Sequence, residues 1–459
     1  MAMKIHILLI LFITLLALLN RPINQQWHNN ITATVFWVGE EAGEENNFIS
    51  NVESCFDEKW LEHYGGKDDP KARINYFPST FIPKENPFYV ALPVSEYDKD
   101  GNLREEIKEV GPLKNRWVEI VYDGKKAYAQ LEDCGPFVYD DFDYVFGDAK
   151  PKNHVNHAGI DLSPAVADYL GINGSANVSW RFVDERDVEE GPWKAIITRG
   201  SNCYGECNYA QSDINWSYII KIYRGPPKNL TVGARWYWQL QGKIKHYDVD
   251  VYDVDLFDVS REEIQSLRES GKVVICYFSA GTAETFRNDF NEFPKDVLGK
   301  RVEEWQDEIW LDVSHYKKFK DIIERRLDMA LLKGCDGVEL DNVDTYLQDT
   351  GFNISPNNQI AYNIWLANES HKRGLLAGLK NDFEQMDELV DCFDFAIVED
   401  CFYYKECNFT RPFIINGKPV FDAEYILTPD EFCEEARKLN ISAIHVPLDL
   451  DGDVDFCPV

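Results

Sequence analysis

Residues Gly334–Asp344 read GCDGVELDNVD. In an extended segment successive side chains point to opposite faces, so Val338 and Leu340 share one face and Glu339 and Asp341 the other. An apolar face next to a carboxylate face suits a parallel strand with helices behind it and an enclosed interior in front. Asn342 and Asp344 then fall in the loop beyond the strand's C-terminal end, where barrels of such strands keep their chemistry.

Just upstream, Phe319, Ile322, Ile323, Leu327, Ala330 and Leu331 recur at helical spacing, and Lys333 and Gly334 supply a basic last turn and a stop. The same alternation of strand and helix runs through the whole C-terminal half. Candidate strands are 249–255, 273–280, 309–313, 336–341, 375–381, 395–399, 419–425 and 443–448, with 238–241 as a preceding edge strand. Eight strands in about 220 residues predict a (β/α)8 TIM barrel over 233–459. A doubly wound open sheet satisfies the same periodicity.

Strand alternation also selects the side chains that reach the site. Tyr252, Val254 and Leu256 pack outward and leave Asp253 and Asp255 inside, while Phe395, Ile397 and Glu399 share an inner face that ends on Glu399. Lys380, Asn381, Asp382, Glu424 and Tyr425 end neighbouring strands and join the rim, with Tyr277 as the aromatic candidate for stacking on a ligand. Carboxylates brought together where water is scarce raise one another's pKa, which allows one to stay protonated while another is ionised. Such a pair can protonate a departing sugar oxygen and attack carbon or activate water. Clustered Asp, Glu and Asn also suit Mg²⁺ or Ca²⁺, but neither EF-hand spacing nor an HExxH motif accompanies them, so no metal or other cofactor is expected. Asp344 reads more readily as a helix N-cap or turn residue than as a catalytic one, and Asp255 and Glu339 as buried acids that position others.

The 459 residues suffice for two or three domains. Lys4 and the apolar run from Ile7 to Leu19 fit a signal peptide over 1–26, although no clean cleavage pattern follows and an uncleaved anchor is the alternative. Sequons at Asn30, Asn173, Asn177, Asn215, Asn229, Asn353, Asn368, Asn408 and Asn440 agree with export. Among the eleven cysteines, Cys203 with Cys207 and Cys401 with Cys407 form close pairs. Cys276, inside VVICYF, is the expected buried free thiol. A net charge of −32 and no basic stripe exclude nucleic acid as a partner, and no stable membrane partner is expected. The Gly, Cys and Pro punctuation over 201–232 marks a linker. Before it, WVEIVY, AYAQLED and VSWRFV with one short helix near 163–170 predict a mainly-β domain over 31–200.

Taken in order, WQLQG, VDVYDVDLFD, VICYFSAGTAETFRND, CDGVELDNVD, GLLAGLKND, FAIVEDCFYYKEC and PVFDAEY resemble glycoside hydrolase family 114, the endo-α-1,4-polygalactosaminidases. The resemblance covers about 233–457. It implies a TIM barrel that cleaves within chains of α-1,4-linked galactosamine, with Asp341 as nucleophile and Glu399 as acid/base of a retaining mechanism. By their place at strand ends and in the adjoining loop, Asp255, Tyr277, Glu339, Asn342, Asp344, Lys380, Asn381, Glu424 and Tyr425 are the candidate substrate contacts. The chain departs from the family pattern at Asp400, where an amide is more usual, and at Leu340, where proline is common. The acidic balance then gains a purpose, since deacetylated galactosamine is a cationic polysaccharide that an acidic protein concentrates.

The segments QLEDCGPFVYDD and GIDLSPAVADYLG are similar to double-psi β-barrels of the rare-lipoprotein-A and expansin type. The resemblance implies a glycan groove at Asp133 and Asp161, with Asp133 in a tight turn and Asp161 suited to cap the following helix. WVGEEAGEEN and PKENPFYVALP are expected as early strands. Two functions therefore stand: a secreted endo-acting glycoside hydrolase with a glycan-binding barrel, or a catalytically silent extracellular carbohydrate-binding or adhesion protein.

Overall fold

The computed structural model describes residues 26–200 and 212–458; the expected leader up to residue 25, the first part of the linker and the Cys203/Cys207 pair lie outside the described residues. The chain is multidomain, dividing into Met1–Asn215 and Trp216–Val459. No described helix is long and apolar enough to cross a membrane.

The first unit is built on a closed barrel of six strands: β1 His28–Val35, β2 Tyr89–Leu92, β3 Trp117–Tyr122, β4 Lys125–Cys134, β5 Ala158–Leu162 and β6 Ala176–Val183. Around the barrel they follow the order β1-β5-β2-β4-β3-β6. The β1/β5 and β2/β4 pairs are parallel and the others antiparallel. PKENPFYVALP contains β2, but WVGEEAGEEN forms a turn and the short helical turn Glu44–Asn46 instead of a strand. Glycine and glutamates favour that outcome, and β1 lies just before it. Helix α1, Pro164–Leu170, is capped by Ser163, whose Oγ accepts Val166 N–H. Asp161 is therefore no cap: it lies within β5, and Asp133 lies within β4 instead of in a turn.

The second unit contains eight parallel strands in chain order: β7 Trp236–Gln239, β8 Val251–Asp255, β9 Val273–Ser279, β10 Gly337–Asp341, β11 Leu376–Lys380, β12 Phe395–Glu399, β13 Val420–Glu424 and β14 Ser442–His445. The expected count holds, but its members differ. The supposed edge strand is β7, a full member of the parallel set. The run at 309–313 is not in that sheet at all, because Glu308–Leu311 is the middle strand of a separate antiparallel sheet with Thr282–Glu284 and Leu298–Arg301.

Two faces of apolar packing organise this unit. Val254, Cys276, Phe278, Val338, Leu340, Leu379 and Val398 pack outward with helix residues such as Ile323 and Leu327 of α2, Lys320–Lys333. This helix stops at Gly334 in the left-handed region (φ 97°), the conformation glycine adopts without a Cβ clash. On the inner face Trp236 and Trp238 of β7 share a cluster with Phe395, Phe421, Ile444 and Val446 of the last three strands. Lys380 Nζ of β11 sits 4.7 Å from the centre of the Trp238 ring. Four strand spacings in a flat sheet would separate β7 from β11 by about 19 Å, so the sheet curls until its first and fifth strands meet across an interior.

Disulfides join Cys55–Cys134, Cys276–Cys335, Cys401–Cys407 and Cys433–Cys457, and the free cysteine among the described residues is Cys392. Cys276 is buried as expected but not free. Its side chain faces outward from β9 toward the turn that enters β10, where Cys335 meets it.

Candidate active site

Three carboxylates from two strands converge on one ammonium group. Lys380 Nζ lies 2.8 Å from Glu339 Oε1, 3.2 Å from Asp341 Oδ1 and 3.4 Å from Glu399 Oε2. Burial alone would lower the Lys380 pKa, but Asp341, Glu339 and Glu399 outweigh it and hold it well above its ordinary value. The lysine is therefore a fixed charge. Asp253 lies buried alongside; burial and then the Glu339 carboxyl push its pKa well up. A protonated Asp253 can donate to Glu339, which burial itself raises to about 7 against the pull of Lys380. Asp253 and Glu339 thus form the floor of the site, below the rim.

Asp341 and Glu399 occupy that rim, each partly accessible. Asp341 Oδ1 takes Lys380, while Oδ2 accepts Tyr277 OH at 2.9 Å and Asn342 Nδ2 at 3.1 Å. Glu399 Oε2 accepts Asn381 Nδ2 at 3.0 Å, and Oε1 accepts the Tyr425 hydroxyl. Burial favours protonation of Glu399, yet Lys380, Tyr425 and Asn381 together bring its pKa below the ordinary glutamate value. Asn381 binds twice, since its Oδ1 accepts Glu399 N–H at 3.1 Å.

The backbone turns sharply after each of these strands. Asn342, Asn381, Asp382 and Asp400 all have φ between 45° and 59°, a region that asparagine and aspartate enter more readily than other residues with a Cβ. These turns follow directly on Asp341, Lys380 and Glu399. Gly281 completes the support: its N–H and that of Ala280 bond Asp341 O, and a Cβ there would lie 1.6 Å from Asn342 O.

Tyr277, Glu339, Asn342, Lys380, Asn381 and Tyr425 are thus brought around Asp341 and Glu399. Three other expected contacts are placed differently. Asp255 is saturated by the Arg287 guanidinium and by the N–H groups of Phe257 and Asp258. Glu424 belongs to the opposite face of β13 from Phe421 and Ala423, and its Oε1 accepts Phe402 N–H at 2.7 Å. Asp344 stands at an N-cap position without a side-chain capping bond and accepts Gln348 Nε2 at 3.0 Å. Glu308 is the residue that strand assignment hid. It reaches the rim from the antiparallel sheet, where Oε2 accepts Thr282 OH at 2.7 Å and lies 3.5 Å from Asn342 Nδ2. Cys401, Asp422 and Glu424 are close enough to share an ion, but the Cys401 sulfur is committed to Cys407.

In the first unit Asp133 and Asp161 are within interaction range of each other. Burial raises both to about 7, and Asp161 adds to the shift of Asp133. Asp133 accepts Cys55 N–H and Asp161 the Thr34 hydroxyl.

Inward carboxylates at the C-terminal ends of parallel strands, steadied by lysine, tyrosine and asparagine, define a glycoside-hydrolase type of site. Glycoside-hydrolase family GH114 matches residues 223–458, over half of the chain, and the chain belongs to that family. It is similar to Aspergillus fumigatus Ega3, whose structure is a complex with galactosamine, at 34% identity over 51% of this chain and 99% of that one, with a TM-score of 0.49. The glycoside hydrolase domain of PelA from Pseudomonas aeruginosa is 14% identical over 48% of this chain and 97% of that one, with a TM-score of 0.38. An uncharacterized protein of Methanocaldococcus jannaschii, MJ1477, is 36% identical over 91 residues, or 19% of this chain; the match spans only 26% of that relative.

Proposed function

We propose that the protein is a secreted endo-acting glycoside hydrolase that cleaves α-1,4-linked galactosamine-containing polysaccharide with Asp341 and Glu399. The carrying observation is the single lysine, Lys380, bonded to both rim carboxylates in a member of family GH114. On this reading the eight parallel strands form a (β/α)8 barrel, a closure that the Lys380–Trp238 contact supports. Asp341 is the nucleophile of a retaining cycle, and Tyr277 and Asn342 orient it. Glu399 exchanges the proton. Its lowered pKa suits the hydrolytic half, in which it acts as base toward water. In the first half it must gain a proton as the departing oxygen approaches, so the Lys380 contact has to weaken in the occupied site.

The galactosamine in the Ega3 complex supports the choice of sugar, and the net charge of −32 suits a cationic polymer. Export is supported by the apolar N-terminal run, the sequons and the disulfides, which persist in oxidising compartments. The first unit is read as a double-psi barrel that binds glycan at Asp133 and Asp161.

Release of reducing ends from α-1,4-galactosamine polymer tests the reading. Asp341→Asn and Glu399→Gln should each lower the rate by at least about 100-fold. Wild-type protein that releases none, or variants that keep full activity, would overturn it. Binding without turnover would point to the silent carbohydrate-binding protein.

A further inference from the structure

Glu308 differs from the carboxylates gathered around Lys380 and Arg287. Glu339, Asp341 and Glu399 share Lys380, and Asp255 and Glu284 share Arg287. Among the described residues Glu308 enters no such ion pair, and its hydrogen bonds, from Thr282 and Asn342, both fall on Oε2. It is half-buried and comes from the inserted antiparallel sheet, not from the parallel strands.

Asn342, which also donates to Ser279 Oγ at 3.0 Å, lies between Glu308 and Asp341. Asn342 Nδ2 lies 3.1 Å from Asp341 Oδ2 and 3.5 Å from Glu308 Oε2. Lys380 occupies the other oxygen of Asp341, Oδ1, and leads to Glu399. Glu308 and the Lys380–Glu399 pair are therefore approached through different oxygens of the same carboxylate. In a 2-amino-2-deoxy sugar the amine stands on the carbon next to the one under attack. Whatever recognises it has to sit beside the attacking carboxylate, away from the lysine that would repel it.

We propose that Glu308 is the specificity-determining residue that pairs with the 2-ammonium of the sugar held at Asp341, and so selects free galactosamine units over acetylated ones. The inference rests on the galactosamine-hydrolase reading above. The groups around Glu308 agree with it. Burial raises its pKa to about 7; the Thr282 bond opposes this, Asp341 and Glu284 add to it, and Arg287 opposes it. A bound ammonium supplies the direct ion pair that this carboxyl lacks among the described residues, and an acetamide cannot.

The test compares full-chain wild type with Glu308→Gln, which keeps an acceptor for Thr282 and Asn342, on α-1,4-galactosamine polymers of graded acetylation. Wild-type kcat/KM is expected to fall as acetylation rises. The variant should lose about 10–100-fold on the free-amine polymer, the range for one charged hydrogen bond. It should change less than about threefold on the most acetylated member that wild type still cleaves, since no charged bond is lost there. An unchanged dependence on acetylation would overturn the proposal. An equal loss on every member, with circular dichroism like wild type, would also overturn it by making the role general. Wild-type protein that cleaves no member of the series would sink the hydrolase reading itself, a result distinct from either.

Discussion

Replacing Lys380 by methionine preserves the length of the side chain and its packing over Trp238 while removing the one cation that, among the described residues, Glu339, Asp341 and Glu399 share. At an effective dielectric near 20, each contact of about 3 Å represents about 5 kcal/mol of Coulomb attraction, most of it offset by the cost of burying the charges. Removing one partner of a buried ion pair typically costs about 3–5 kcal/mol, and that loss is expected in urea denaturation at pH 8. The loss should shrink as pH falls. In wild type Glu399 has a lowered pKa, so its contribution is present above the unfolded glutamate value and disappears as pH drops through the folded one. In Lys380→Met the Glu339 and Glu399 carboxyls have no lysine to oppose burial, and their pKa values rise. A raised folded pKa favours the native state at low pH and ceases to do so as pH climbs through it. The two curves should therefore converge toward pH 5. A deficit below about 1 kcal/mol, or one that does not change between pH 8 and pH 5, would refute the assignment of Lys380 as the shared counter-ion.

Three further outcomes follow from the same geometry. Tyr425→Phe removes a hydrogen bond that favours ionised Glu399, so the acidic limb of the pH–rate profile should move upward and kcat should fall by about tenfold, the cost of one charged hydrogen bond; an unmoved limb would count against the contact. Asp255→Asn removes one of the two buried partners of Arg287 and leaves Glu284, so it should cost about 1.5–3 kcal/mol of stability with little change in KM, whereas a selective rise in KM would restore Asp255 to substrate binding. In the first unit, burial raises Asp133 and Asp161 to about 7. Their contribution to stability should be full at pH 4 and below and fade as pH rises through 7. Asp133→Asn with Asp161→Asn should flatten that fall, and a profile that keeps its slope would count against the buried pair.

The parts of the site that could be read in the sequence depend on neighbours one or two residues apart. Alternation alone placed Glu339 and Asp341 inward and Val338 and Leu340 outward, because pleating is a property of the strand itself. The same rule applied to PVFDAEY puts Phe421, Ala423 and Tyr425 inside, and so puts Glu424 outside; its position at a strand end had outweighed its parity. Other features depend on pairing between distant segments, and no local pattern carries that. EIWL reads as well for an antiparallel strand as for a parallel one, since a short apolar run is compatible with either. Cys276 could be read as buried, but the approach of Cys335 is set by the register of β9 against β10.

The antiparallel setting of Glu308 has a chemical consequence. As the residue preceding a barrel strand, Glu308 would lie at the strand's N-terminal end, on the face opposite the chemistry. As the first residue of an antiparallel strand paired with Thr282–Glu284, it lies beside the loop that leaves β9, and so within reach of Asn342. The inserted sheet therefore brings to the rim a carboxylate that the parallel strands do not supply. Asp341, Lys380 and Glu399 come from β10, β11 and β12, the strands that also form the core. Changes to them are coupled to packing and to the shared lysine. Glu308 stands outside that network, on an element that, among the described residues, shares no ion pair with Lys380. Selection between free and acetylated sugars can thus be altered at Glu308 while the bond-breaking pair is kept, and the graded-acetylation series separates the two.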